Sequence, residues 1–235
     1  MGWQGYALIF YLYNALRRVS RHSRLKKVDR IKVMKQLATL ALICITYFVF
    51  AIVVLHFLRP DLNPMSRPTS EYAVGKYGFL MTTAFFSMSV ASFSLLIGLS
   101  KGVPKPAKSR IGLVLLGIWA VGVLVAMSFP INPEGTELTT TSTIHRINGP
   151  SIFLSLSIAT VVISSRFRRD ENWKPLYRSV FPLSLILLVL FFITGANIAA
   201  KTGFEGLCQR TFLVMFVTWF ILTTLHLRST IANFE

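Results

Sequence analysis

The sequence predicts an all-α polytopic membrane protein, a six-transmembrane-helix bundle with an N-terminal interfacial amphipathic helix. Of its 235 residues, 53% are hydrophobic and only 14% are charged, whereas soluble domains carry about a quarter charged residues. The apolar residues fall into six runs, each close to the roughly 20 residues that a helix needs to cross a bilayer. These runs lack the apolar-polar alternation of barrel strands, and a helix satisfies its own backbone groups in lipid.

The predicted membrane domain covers residues 37–228, and the first five spans contain no Asp, Glu, Lys or Arg. The sixth span contains Arg210 close to its first residue, where a long cationic side chain can snorkel to the interface. Small residues four positions apart, such as Gly195 and Ala199 or Ser151 and Ser155, predict close helix packing. The six spans are predicted at about 37–58, 78–99, 111–129, 148–165, 179–200 and 207–227.

Residues 1–36 form a predicted arm with an aromatic, apolar half and a basic half. The apolar half, 3–16, is too short to span, and its positive charges follow it, which is the reverse of a secretory signal. We expect it to lie in the membrane interface as a helix, or to dock a partner protein. The nine Lys/Arg that follow are expected to contact anionic lipid headgroups. No nucleic-acid-binding fold accompanies them, so no nucleic-acid partner is predicted.

The charge distribution predicts the orientation of the chain. With six spans, 19 of the 25 Lys/Arg fall on one side of the membrane and 6 on the other. Because cytoplasmic loops carry the excess of Lys/Arg, both termini, including the short tail 229–235, are predicted to be cytoplasmic. The predicted location is the inner (plasma) membrane of a bacterial cell, as a multi-pass protein.

The outer connections hold the candidate functional residues. The first reads RPDLNPMSRPTSEYAVGKYG and the third FPINPEGTELTTTSTIHRINGP, and their prolines favour stiff loops. Their mixed charges either pair with one another as a lid that closes the bundle, or line a binding or catalytic site under that lid. The catalytic candidates are His145, Glu71 and Glu134, and the ligand-binding candidates are Arg59, Asp61, Arg67, Tyr72, Arg146 and Arg210.

No cofactor or metal is predicted from the residue pattern. A bis-histidine haem needs paired histidines at matching depth, and His56 is alone in its span. A zinc site would need several converging ligands, and His56, His145 and the outer carboxylates could meet at the outer face but show no metal-binding spacing. Cys44 and Cys208 lie at different depths, so no disulfide is expected.

These residues also carry a family resemblance. The run Arg59-Pro60 … Ser70-Glu71-Tyr72-Ala73-Val74-Gly75 … Tyr77-Gly78 resembles the signature of a bacterial and archaeal membrane family, domain of unknown function 998 (DUF998). Phe129-Pro130, His145, the run 165–170 and Gly206-Leu207-Cys208-Gln209-Arg210 match it as well, so the resemblance covers about 37–228. Asn132 replaces an acid that often follows Phe-Pro in the family, and the arm lies outside the pattern. The resemblance implies about six spans in the plasma membrane and no established activity.

Three functions follow as hypotheses. The first is a non-enzymatic, lipid-binding protein or an accessory subunit of a larger membrane complex, because no charge lies at mid-depth and no catalytic constellation is visible. The second is an enzyme acting on a lipid-linked or periplasmic substrate, with His145 as general acid/base, a nearby carboxylate as its partner and the outer arginines holding an anionic group. The third is a transporter of a lipid or small solute, for which Pro182 and Gly195 are the only candidate helix breaks.

Overall fold

The computed structural model describes residues 3–132 and 135–232, with the side chains of 31–132 and 135–230. Its described residues form helices and connections without a strand, which confirms the all-α prediction. Six helices are long and apolar enough to cross a membrane, and the spanning part of the first is Ile31–Leu58. The helices are α1 (Trp3–Leu58), α2 (Gly78–Gly102), α3 (Arg110–Ser128), α4 (Thr140–Phe167), α5 (Lys174–Ala200) and α6 (Glu205–Ala232), with short 3₁₀ helices at Thr69–Ala73 and Lys105–Ala107.

The six helices form a closed ring in which each packs against the next along the chain and α6 returns to α1. Large side chains fill the centre of this ring, among them Met88, Trp119 and Phe216, each at most 3% exposed. Because consecutive helices alternate in direction, the connections fall at two ends. We call the end with the α1–α2, α3–α4 and α5–α6 connections the lid end, and the other, which is rich in Lys and Arg, the basic end.

Two glycines bring α3 into close contact with α4. A Cβ on Gly112 would lie 2.5 Å from Ile163 Cγ1, and one on Gly122 would lie 2.1 Å from Ile152 Cγ2. At this short separation Ser155 Oγ donates a hydrogen bond of 2.9 Å to the Leu115 carbonyl of α3. Small residues thus allow two apolar helices to approach and to exchange hydrogen bonds in lipid.

Buried serine hydroxyl groups also join other pairs of helices in the ring. Trp219 Nε1 of α6 donates to Ser164 Oγ of α4 at 2.8 Å, and that hydroxyl lies 2.9 Å from Ser184 Oγ of α5. Trp119 Nε1 of α3 donates to Ser92 Oγ of α2 at 3.0 Å. The indole N–H groups of Trp119 and Trp219 therefore both have an acceptor, as a buried polar group requires.

Two features differ from the sequence-based expectation. Helix α4 begins at Thr140, well before the predicted span, because the Thr139 hydroxyl caps it by accepting from Ser142 N at 3.2 Å. His145 is consequently on a helix and not in a loop. Gly195 and Ala199 of α5, in turn, are exposed, and no described atom would lie within 4 Å of a Cβ on Gly195, so this small-residue pair does not pack against another helix within the described residues.

Candidate binding site beneath a polar lid

The α1–α2 connection, residues 59–77, folds over the lid end of the ring, and we call it the lid. Four of its five charged side chains form two pairs. Arg59 holds Asp61 through Nε–Oδ1 and Nη2–Oδ2 contacts of 2.9 and 2.8 Å, and Arg59 Nη1 also donates to the Val74 carbonyl at 2.6 Å. Hydrogen bonding to Arg59 lowers the pKa of the Asp61 carboxyl below its ordinary value. Arg67 Nε lies 2.9 Å from Glu71 Oε2.

Arg210, at the start of α6, fastens the lid to the bundle. Its guanidinium donates to the lid carbonyls of Pro64 and Arg67 at 2.8 and 2.7 Å, and to Tyr72 Oη at 3.2 Å. Its Nε donates to His56 Nε2 of α1 at 2.9 Å. The side chain that the sequence suggested would snorkel is therefore directed into the protein, where one planar cation serves several acceptors at once.

His56 and Tyr72 complete this anchor. His56 Nδ1 lies 2.6 Å from the Ile52 carbonyl, which can only accept, so Nδ1 carries a proton and Nε2 is left to accept from Arg210. The Tyr72 ring is fully buried and lies 5.4 Å from the His56 ring and 5.7 Å from the Arg210 guanidinium carbon. The lid is thereby packed as well as hydrogen bonded.

The backbone of α6 also contacts the lid directly. A Cβ on Gly206 would lie 2.5 Å from the Arg67 carbonyl oxygen, so only glycine permits this approach. Leu207 N donates to the Met65 carbonyl at 2.9 Å. Gln209 Oε1 accepts from both the backbone N–H and the hydroxyl of Thr69, at 2.8 and 3.0 Å.

Beneath the lid lies a cavity of about 80 Å³. It is lined by residues of the lid and of α1, α2, α3, α4 and α6, and α5 contributes none of them. Its walls are mostly aromatic and aliphatic, and its polar groups come from two lid residues and from α4 and α6. The described residues lining it include no Asp, Glu, Lys or Arg; they are Phe48, Thr69, Ser70, Phe85, Met88, Trp119, Val123, Ala126, His145, Gly149, Ile152, Phe153, Gln209 and Leu213.

His145 is the titratable side chain of this cavity. It is 9% exposed, and its Nδ1 lies 2.8 Å from the carbonyl oxygen of Phe129 at the end of α3. Since a carbonyl only accepts, Nδ1 is the protonated nitrogen, and in the neutral ring Nε2 is an acceptor. No described residue forms a hydrogen bond with Nε2. The site therefore offers a bound molecule an acceptor whose orientation is set by α3.

The structure brings some of the sequence candidates together and separates others. Tyr72 and Arg210 meet directly, whereas Arg59 with Asp61 and Arg67 with Glu71 form separate pairs within the lid. Arg146 follows His145 on α4 but is exposed. Glu134 lies outside the described residues. In the described part of the chain, no three His, Cys, Asp or Glu side chains come close enough to hold a metal ion.

Sequence reasoning missed four residues of the lid end. His56 was weighed as a haem or metal ligand and not as the acceptor for Arg210, and Thr69, Ser70 and Gln209 were not considered as lining a cavity. The available signal was the motif 206–210. It places a glycine and two polar side chains, Gln209 and Arg210, at the start of an apolar span, which indicates contact with another segment.

Comparison with known proteins identifies a family for the chain. No curated protein and no solved structure matches the sequence significantly. A family described as protein of unknown function (DUF998) matches residues 42–226, which include parts of the first and last membrane helices, the other four helices, the lid and the residues lining the cavity. The chain, with its six-helix ring and its lid held by Arg210, therefore belongs to the DUF998 family.

Proposed function

We propose that the chain is a non-enzymatic, lipid-binding membrane protein, and that the cavity beneath the lid holds the uncharged, hydroxyl-bearing headgroup of a lipid. The observation that carries the proposal is the composition of the cavity, which has aromatic and aliphatic walls, a few hydrogen-bonding groups and no charged side chain among its described lining residues. Such a lining is typical of small-molecule sites.

The polar groups define the ligand chemistry. His145 Nε2 is an acceptor in the neutral ring, so a hydroxyl group of the ligand can donate a hydrogen bond to it. The Ser70 hydroxyl lines the same cavity and can donate or accept. Gln209 uses its amide oxygen for Thr69, so its NH₂ group is available to donate. A headgroup with one or two hydroxyls satisfies all three.

Cavity size and charge narrow the choice further. A single water molecule needs about 10–15 Å³ of cavity volume. The cavity, at about 80 Å³, therefore holds several non-hydrogen atoms of a headgroup but not an acyl chain. An ionised headgroup would lose its hydration without meeting a counter-charge, at a cost of several kcal/mol. We therefore expect an uncharged headgroup inside the bundle and its chains outside.

The test compares 1,2-dioleoylglycerol with its 3-O-methyl ether, which lacks the hydroxyl, and with free glycerol, each titrated into the purified chain in neutral detergent. We expect the diacylglycerol to bind, and both the ether and His145→Phe to weaken binding by about tenfold, because a hydrogen bond worth about 1.4 kcal/mol is lost. Arg146→Gln, one residue along on the exposed face of α4, is the matched control. Equal binding of diacylglycerol and ether would contradict the proposal.

A second candidate function rests on one observation, which is that a serine hydroxyl and a histidine share the cavity. Ser70 as nucleophile and His145 as base would suit acyl transfer, although His145 is oriented by the Phe129 carbonyl and not by a carboxylate. A fluorophosphonate probe would label Ser70 if this were the function. Labelling that His145→Gln abolishes would favour the enzyme over the binding protein.

We also propose that the chain lies in the plasma membrane with both termini cytoplasmic. Helix α1 runs without interruption from Trp3 to Leu58, so we propose that it bends before its spanning part and that the arm then lies at the interface against anionic headgroups. The support is the excess of Lys and Arg at the basic end. A role as accessory subunit of a membrane complex is supported by the exposed Gly195 and Ala199, which permit close approach of another helix. Alkaline phosphatase fusions after Asn132 and after Arg169 test the orientation; only the first should be active.

A further inference from the structure

The basic end contains a group of cations to which no function has been assigned. The α2–α3 connection and the last turn of α4 lie in contact, since the 3₁₀ helix Lys105–Ala107 packs on α4. Neither segment contains an acidic residue. Two acids follow α4, of which Glu171 pairs with Lys174 and Asp170 accepts from Asn172 N through Oδ1 at 3.0 Å. The cations are Lys101, Lys105, Lys108, Arg110, Arg166, Arg168 and Arg169.

Arg166 is the exceptional member of this group. Its Nε is buried and has no hydrogen-bond partner; among the described side chains only Thr223 Oγ1 shares that condition. A buried donor without an acceptor is destabilising, and more so on a cation. The side chain as a whole is only partly buried, so an oxyanion can reach the guanidinium at its Nη groups and offset the cost of the charge, while the covered Nε belongs to the part packed in the bundle.

The position of Arg166 is set by the packing of α4 on α3. Ser155, eleven residues earlier and thus on nearly the same face of α4, donates to the Leu115 carbonyl of α3. Ile163, one turn before Arg166, contacts Gly112 in the first turn of α3. Arg166 therefore lies at the level where α3 begins, and the positive end of that helix adds to the attraction for an anion.

We infer that this part of the basic end, built around Arg166, is a binding site for the phosphate of an anionic phospholipid. The spanning part of α4 ends at Phe167, directly after Arg166, so the guanidinium lies where the apolar helix meets the headgroup layer. Arginine binds phosphate through paired N–H donors, and the surrounding lysines supply long-range attraction. The site is independent of the cavity, which lies at the opposite end of the bundle.

The experiment is a thermal-unfolding titration of the full chain in neutral detergent. The additives are dioleoylphosphatidylglycerol, dioleoylphosphatidylcholine and inorganic phosphate. The variant is Arg166→Met, which removes the buried N–H with the charge. Its matched control is Arg178→Met, which removes an exposed cation of α5 at the same end. Phosphatidylglycerol should raise the unfolding temperature of the wild type. The lipid concentration that gives half of this rise should be at least tenfold higher in Arg166→Met than in the wild type, but less than threefold higher in Arg178→Met.

The measurement without lipid separates a binding role from a structural one. Because Arg166 Nε lacks a partner, Arg166→Met should unfold at the same temperature as the wild type or higher when no anion is present. A lower unfolding temperature would mean that Arg166 holds the bundle together and would overturn the inference. So would equal losses in the two variants, stabilisation by phosphatidylcholine as strong as by phosphatidylglycerol, or full stabilisation by inorganic phosphate alone.

Discussion

Replacing Arg210 by methionine should release the lid. The guanidinium makes three hydrogen bonds to the lid, to the carbonyls of Pro64 and Arg67 and to Tyr72 Oη, all within 3.2 Å. A hydrogen bond from a charged donor contributes about 1.5–3 kcal/mol. Because Arg210 is only half buried, we take the lower value, about 1.5 kcal/mol, for each of the two short bonds. We therefore expect the closed state of the lid to be destabilised by about 3 kcal/mol relative to the open state. This corresponds to about a 150-fold rise in the population of the open state.

Hydrogen exchange measured by mass spectrometry on peptides from 59–77 reads this population directly. The amides of Arg67 and Thr69, which donate to Asn63 O and Gln209 Oε1, should exchange about 100-fold faster in Arg210→Met, while the α3–α4 contact keeps its protection. Arg210→Lys should fall between the two, because an ammonium keeps the charge but not the planar fork. Arg146→Met serves as the control on the exposed face of α4. Lid exchange at the wild-type rate in Arg210→Met would refute the assigned anchor.

Three further changes test other parts of the account. Gly206→Ala should destabilise the lid by about 1–3 kcal/mol in thermal unfolding, because the added Cβ would clash with the Arg67 carbonyl. The control Gly195→Ala adds a Cβ in open space and should be neutral or slightly stabilising. Equal effects of the two substitutions would contradict the contact between Gly206 and the lid. Trp219→Phe should cost about 1–3 kcal/mol by removing the donor to a buried serine hydroxyl, and an unchanged unfolding temperature would count against that bond. Asp61→Asn should weaken the lid slightly at neutral pH. Since pairing lowers the pKa of this carboxyl, its contribution is complete above the ordinary value of 3.8 and is lost as the pH falls below it, so wild type and variant should converge in acid.

The membrane fold could be predicted from the sequence because its physical cause is local. Each span satisfies its own backbone and needs only length and apolar composition, both of which are visible in the residues. Helix ends were less predictable where capping overrides hydropathy. Thr139 starts α4 within a polar stretch, ahead of the apolar run, and thereby moves His145 from a connection onto a helix.

The site depends on contacts between distant segments, which a single sequence does not display. Arg210 and His56 are 154 positions apart, and nothing in either apolar run indicates that one donates to the other. The lid residues were recognised as a group from their charges and prolines. Their internal pairing, and the cavity that Ser70 and Gln209 share with His145 beneath them, arise from how α1, α4 and α6 meet in three dimensions.

Photolabelling tests the central claim, a headgroup cavity beneath the lid, most directly. A diacylglycerol with a diazirine near its hydroxyl would be irradiated with the purified chain, and the labelled peptides sequenced. We predict labels on the cavity wall, at Trp119, Phe153 or Leu213, and competition by unlabelled dioleoylglycerol. Labels confined to lipid-facing side chains such as Phe192 of α5, with none on the cavity wall, would contradict the account.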